Sequence, residues 1–168
     1  MSDAYLNQLG ISPALLLQRG LTQHQEATEL AVAETDQHGR QYLLTPNAAS
    51  AWHSMKDAAH REGIELLMVS AFRSVQRQFD IIQAKRDDGA SIDTILEVCA
   101  PPGYSEHHTG RAIDITSPED PELEVRFENT LTFLWLSQNA AQYGFSMSYP
   151  RDNKLGFQYE PWHWCFQE

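Results

Sequence analysis

Two short segments carry residues whose types and spacing suit metal chemistry. The first is Ser105-Glu106-His107-His108-Thr109-Gly110-Arg111-Ala112-Ile113-Asp114. It places a histidine in a glycine-containing loop and an aspartate in the apolar stretch that follows. Within Ala112 to Thr116, Ile113 and Ile115 share one face of a strand, and Asp114 points to the other with Ala112 and Thr116. A carboxylate in so apolar a strand is costly unless a cation compensates it. A metal is one answer and an arginine partner is the other. Gly110 permits a sharp turn that lets His107 fold back towards Asp114.

The second segment is Glu160-Pro161-Trp162-His163-Trp164. On a flat strand Glu160 and His163 would face opposite ways. Pro161 disfavours a regular strand there, and a local kink could bring both side chains to one side. Two histidines and one carboxylate leave a fourth position on zinc for water. The metal lowers that water's pKa to about 7, and a neighbouring carboxylate can accept the proton. Taken alone, Glu-x-x-His is a pattern that arises by chance. A third segment, Ser70-Ala71-Phe72-Arg73-Ser74, puts Arg73 between the end of a strand and the start of a helix, where functional side chains concentrate. An arginine there can hold a carboxylate or steady an oxyanion, or it can make an ordinary surface ion pair. His53 and His60 lie on one helix, and His24 and His38 in polar surroundings; these read as structural or surface residues.

The elements that must position these residues follow from hydrophobic period and punctuation. Ser12-Pro13 opens a short helix over 14–18. Stretches 29–34 and 41–44, separated by Asp36-Gln37-His38-Gly39, form a hairpin. A helix runs from Thr45-Pro46 to Gly63, with Ala48, Ala51, Trp52, Met55, Ala58 and Ala59 on one face. Stretch 64–70 reads as a central strand. Ser74 caps a helix over 75–86, with Phe79, Ile82 and Arg86 along a stripe, and 91–99 is another short helix. Ala112 to Thr116 is a strand. Stretch 130–143 is a helix carrying Leu131, Leu134, Trp135 and Ala141, and 145–149 and 162–166 are closing strands. Helices and strands mix without regular alternation. The expected fold is α+β, with a small antiparallel sheet flanked by helices and the metal site at the sheet.

The 168 residues make one domain of ordinary size, with residues 1–44 as an N-terminal extension packed on a core of 45–166. The net charge of −11, from 12 Lys+Arg against 23 Asp+Glu, argues against a nucleic-acid partner. No apolar run approaches a membrane span. The first residues lack a basic segment and a signal-type apolar run, so the expected compartment is cytoplasmic, or periplasmic if a signal has been removed. Cys99 and Cys165 are expected as two reduced thiols. The expected state is a monomer or weak dimer.

Together the three segments resemble the VanY-type D-alanyl-D-alanine carboxypeptidases, whose family also holds VanX-type dipeptidases and some phage endolysins. The family pattern Ser-x-His-x-x-Gly-x-Ala-x-Asp is matched by Ser105 to Asp114, and its downstream Glu-x-x-His by Glu160 to His163. Ser70 to Ser74 resembles the family's Ser-Gly-Tyr-Arg-Ser. The resemblance implies a hedgehog/D,D-peptidase-like fold and one zinc ion per chain, held by His107, Asp114 and His163. It implies Glu160 as the base that activates water, and Arg73 as the group that polarises the scissile carbonyl. Ser105 and Gln78 would position the peptide, Trp162 would pack beside the site, and His108 would support the ligands without touching the metal. The implied substrates are peptidoglycan-derived peptides cut at the terminal D-Ala-D-Ala bond. L,D-carboxypeptidase, dipeptidase and endopeptidase activities, or a non-catalytic zinc- or peptide-binding role, are the alternatives. Ala71-Phe72 stands where the family has Gly-Tyr, and Cys165-Phe166-Gln167 where it continues Arg-Tyr-Val. These departures leave metal and base untouched and bear on substrate preference.

Overall fold

A computed structural model describes residues 2–167. The chain opens with α1 (Ser2–Leu9) and α2 (Pro13–Gln18), then the hairpin β1 (Ala31–Thr35) and β2 (Gln41–Leu44). Next come α3 (Pro46–Arg61), β3 (Leu67–Ser70), α4 (Val75–Asp87) and α5 (Ile92–Leu96). A 3-10 turn, Glu106–Thr109, leads into β4 (Ala112–Thr116). The chain ends with α6 (Leu131–Asn139), β5 (Phe145–Met147) and β6 (His163–Phe166). The architecture is α+β, as expected, with two antiparallel sheets: β1-β2, and a four-stranded sheet ordered β3-β4-β6-β5.

Local chemistry explains the helix starts. Ser12, Ser74 and Ser91 each accept a backbone N–H of the first turn, from Leu15, Arg77 and Thr94. Each such cap is worth about 1 kcal/mol. The buried stripe of α3 is Ala48, Ala49, Trp52, Met55, Ala58 and Ala59. It packs into the main core with Ile113 and Ile115 of β4, Trp164 of β6, and Trp135 and Leu136 of α6. A second cluster joins α1 and α2 to α4 and α5 through Leu6, Leu9, Leu16, Ile82 and Leu96.

Several expected elements shift. Stretch 64–70 is not a central strand: β3 begins at Leu67 and lies at the sheet edge, while β4 and β6 occupy the centre. Ile64 closes the helix end instead, its N–H donating to Ala59 O at 2.9 Å. The helix expected over 130–143 changes to a 3-10 turn at Ala140. Its Leu131 and Leu134 are 61% and 52% exposed, and the buried residues are Thr132, Trp135 and Leu136. The helix expected over 91–99 is shorter, and α1 has no counterpart in the sequence reading. No helix among the described residues is long and apolar enough to cross a membrane.

The turn before β4 depends on Gly110, whose φ is 66°. A Cβ there would lie 2.9 Å from Leu30 Cδ2 and 3.2 Å from Ala27 Cβ. The segment before β1 is therefore pressed against the loop that carries His107, an arrangement tied further by Ala27 N–H donating to His108 O at 2.8 Å. Gly110→Ala is expected to destabilise the chain by at least about 1–2 kcal/mol, the cost of a left-handed residue with a side chain. Denaturant titration of the two proteins measures this.

Candidate metal centre

Strand pairing assembles the centre. Asp114 on β4 stands opposite Ser70 of β3 on one side and His163 of β6 on the other. Residues directly opposite in an antiparallel pair point to the same face, so Asp114 and His163 meet on the side away from Ile113 and Trp164. His107 reaches the same point from the 3-10 turn, as Gly110 allows. One ligand atom from each of His107, Asp114 and His163 lies within 4.8 Å of the others. All three side chains are buried.

The imidazoles are fixed by what their second nitrogens touch. His107 Nδ1 is 2.7 Å from Ala71 O, and its Nε2 is 3.2 Å from Asp114 Oδ2. His163 Nδ1 is 3.0 Å from Asp114 Oδ1, and its Nε2 is 2.9 Å from Glu106 Oε2. Burial would raise the Asp114 carboxyl, but His107 and His163 outweigh it and hold the group well below the usual carboxylate range. Burial likewise lowers His163, but Asp114 and Glu106 outweigh it and carry the ring up to about 10. His107, without a second carboxylate, is lowered by burial. The two histidines and Asp114 are a donor set that suits zinc, with room left for a further ligand.

Arg73 supplies only part of the charge compensation that Asp114 needs. Its Nη2 is 3.7 Å from Asp114 Oδ2, beyond hydrogen-bond reach, and donates to Ser70 Oγ at 3.1 Å. Its Nη1 donates to Gln78 Oε1 at 2.8 Å. Gln78 is buried, and its amide nitrogen donates to Ala100 O at 2.7 Å. Both ends of the Gln78 amide are thus engaged within the protein, and the residue holds Arg73 rather than lining the cavity. The Arg73 backbone is gripped as well: its N–H donates to His107 O, and its carbonyl accepts from His108 Nδ1. His108 Nε2 accepts from Gly103 N–H, so this fully buried ring clamps the loop that carries His107 to the turn that bears Arg73.

Glu160 lies just before β6. The kink expected at Pro161 is a turn closed by His163 N–H donating to Glu160 O at 3.2 Å, and it places Glu160 on the same side as the triad. The cavity holds about 610 Å³ and is lined by His107, Asp114 and His163 together with Arg73, Glu160 and Ser105. Trp162, Tyr149 and Cys99 also line it, with stretch 123–126 on another side. Burial, reinforced by Asp114 and opposed by His163 and Arg73, raises Glu160 to about 7. Both cysteines are free thiols.

Sequence reading missed two residues here. Glu106 was visible inside the first motif, beside His107, yet nothing in its spacing shows that it reaches His163. Tyr149 had no signal; its ring lies 4.7 Å from that of His163. His53 and His60 stay outside the centre, as the reading had them, His53 with a ring nitrogen 2.6 Å from Ala33 O.

A fold of this type, with a two-histidine, one-aspartate cluster and a carboxylate of raised pKa in one cavity, defines a class of candidate metallohydrolases. The model of the VanY D-alanyl-D-alanine carboxypeptidase family matches residues 41–168, and the chain belongs to that family. It is 40% identical over 126 residues to the putative carboxypeptidase YodJ of Bacillus subtilis, covering 71% of this chain and 45% of the relative. The chain thus spans less than half of that relative's length. The structure of the LdcB LD-carboxypeptidase superposes with a TM-score of 0.75 and 34% identity, covering 84% of this chain and 69% of that one. A mutant of the D,D-pentapeptidase VanY from the VanB-type resistance cassette, solved in complex with Zn(II), superposes with a TM-score of 0.64 and 25% identity, covering 84% and 80%.

The raised pKa of Glu160 has a sign that can be tested in metal-free protein. A carboxyl whose folded pKa exceeds its unfolded value of 4.5 favours folding at low pH, and that contribution disappears as pH rises through about 7. Glu160→Gln removes the titration. The variant is expected to gain stability relative to the parent chain as pH rises from 4.5 to about 7, with no further gain above that, as read from paired thermal melts in chelator.

Proposed function

We propose that this chain is a zinc-dependent carboxypeptidase that removes the C-terminal D-alanine from peptidoglycan-derived peptides ending in D-Ala-D-Ala. The observation that carries this reading is the single cavity in which Glu160 and Arg73 flank the His107–Asp114–His163 triad. His107 Nε2, Asp114 and His163 Nδ1 would hold the ion. When bound, zinc supplies Lewis acidity that brings the pKa of a water towards about 7.

The chain's own residues do the rest. Glu160, ionised above about 7 in the metal-free protein and more readily beside a cation, accepts one proton of the attacking water. The water oxygen bonds to the carbonyl carbon. Arg73, which lines the same cavity, would turn its remaining N–H groups to the negative charge that develops on the carbonyl oxygen. The C–N bond then breaks, and Glu160 returns its proton to the leaving amine. The products are a shortened peptide and free D-alanine. Ser105 and Trp162 line the cavity and would contact the peptide, while Gln78 acts by fixing Arg73.

A second reading, an L,D-carboxypeptidase acting on a tetrapeptide, is favoured by the similarity to LdcB at 34% identity. Release of D-alanine from pentapeptide, tetrapeptide and free D-Ala-D-Ala separates the two, and also separates both from a dipeptidase. The expected result is release from pentapeptide, lost on chelation and restored by zinc. Glu160→Ala is expected to retain zinc and lose turnover. Zinc binding with no cleavage of any panel member by the parent chain would point to a binding protein instead. Arg73→Ala is expected to lower kcat by about 10²–10³, the scale for removing one oxyanion donor; steady-state kinetics on the preferred panel member measure it.

A further inference from the structure

The two histidines of the triad face Asp114 through different ring nitrogens, Nε2 for His107 and Nδ1 for His163. A neutral imidazole carries one proton, and only the other nitrogen can donate a lone pair to a metal. For His107 the choice is made by a backbone carbonyl: Ala71 O accepts from Nδ1 and leaves Nε2 bare. For His163 the corresponding acceptor is a side chain, Glu106 Oε2, at 2.9 Å from Nε2.

Glu106 and His107 are consecutive residues of one 3-10 turn, and their side chains diverge. His107 supplies its ring to the triad; Glu106 reaches the edge of His163 opposite Asp114. The placement of Glu106 differs from that of the base and of the ligands. Glu160 lines the cavity, whereas Glu106 is not among its lining residues and is engaged with His163 instead. It is also not part of the cluster whose ligand atoms converge.

Resting on the metallopeptidase reading above, we propose that Glu106 is a positioning residue: its carboxylate accepts the Nε2 proton of His163, and so fixes the tautomer and ring angle that aim Nδ1 at the zinc ion. Carboxylate partners of this kind raise ligand basicity, and their loss costs about 10–100-fold in metal affinity. Glutamine keeps a carbonyl that can accept the same proton and loses only the charge, so Glu106→Gln retains part of the effect that Glu106→Ala removes.

The test measures zinc affinity by competition with a chromophoric chelator for the parent chain, Glu106→Gln and Glu106→Ala. It is paired with long-range nitrogen–proton NMR of the histidine rings in zinc-loaded parent and Glu106→Gln protein. Expected are an affinity loss of about 10–100-fold in Glu106→Ala, a smaller loss in Glu106→Gln, and a His163 ring protonated on Nε2 with the metal on Nδ1. Parent-like affinity in Glu106→Ala, or a His163 ring that binds through Nε2, overturns the role of Glu106 and leaves the metallopeptidase reading intact. A parent chain that takes up no zinc overturns both. If Glu106→Ala does not fold, the NMR spectrum of the parent and the affinity of Glu106→Gln still decide.

Discussion

The pairing of β4 with β6 is the constraint on which the centre depends. Ile113 stands opposite Trp164 and Asp114 opposite His163 in a single register. Because side chains alternate between faces, a slip of one residue would send His163 into the core and Trp164 into the cavity. Ile113 is fully buried and Trp164 nearly so. Apolar packing on one face therefore holds the polar constellation on the other to within a hydrogen bond's tolerance.

The electrostatic arrangement follows from that burial. Asp114 lies buried on a central strand at the floor of the cavity and is kept ionised by two imidazoles at about 3 Å, with Arg73 standing off at 3.7 Å. Removing water from three such groups is unfavourable unless each retains a partner. The surrounding bonds supply these: Ala71 O for His107, Glu106 for His163, and Ser70 and Gln78 for Arg73. Glu160 stands apart from this satisfied network, and its carboxyl is the one left with a raised pKa. The neighbours each group has thus separate a satisfied cluster around Asp114 from the lone carboxyl of Glu160.

Much of this was legible in the sequence. Alternation within Ala112 to Thr116 put Asp114 on the face away from Ile113 and Ile115, and Pro161 marked the kink that precedes His163. Ser74 and Gly63 marked helix limits through short-range chemistry that a sequence displays directly. Strand order was not legible, because an apolar run such as 64–70 looks alike at the edge and in the middle of a sheet. The extent of α6 was misread because its apolar residues occur all round the helix, and Leu131 and Leu134 face outward. Side-chain contacts across long separations, such as Glu106 with His163 and Gln78 with Ala100, arise only once the chain has folded.

Arg73 shows what such contacts do beyond placing a charge. A solvent-exposed arginine samples many rotamers, and immobilising it on a ligand costs about 2 kcal/mol of conformational entropy. Here the guanidinium is tied to Ser70 and Gln78, and its backbone to His107 and His108. That ordering is completed when the chain folds, so it is charged to protein stability and not to each binding event. Any group that enters the cavity meets a guanidinium that is already still, and the free energy of a contact with it is not spent on ordering the side chain.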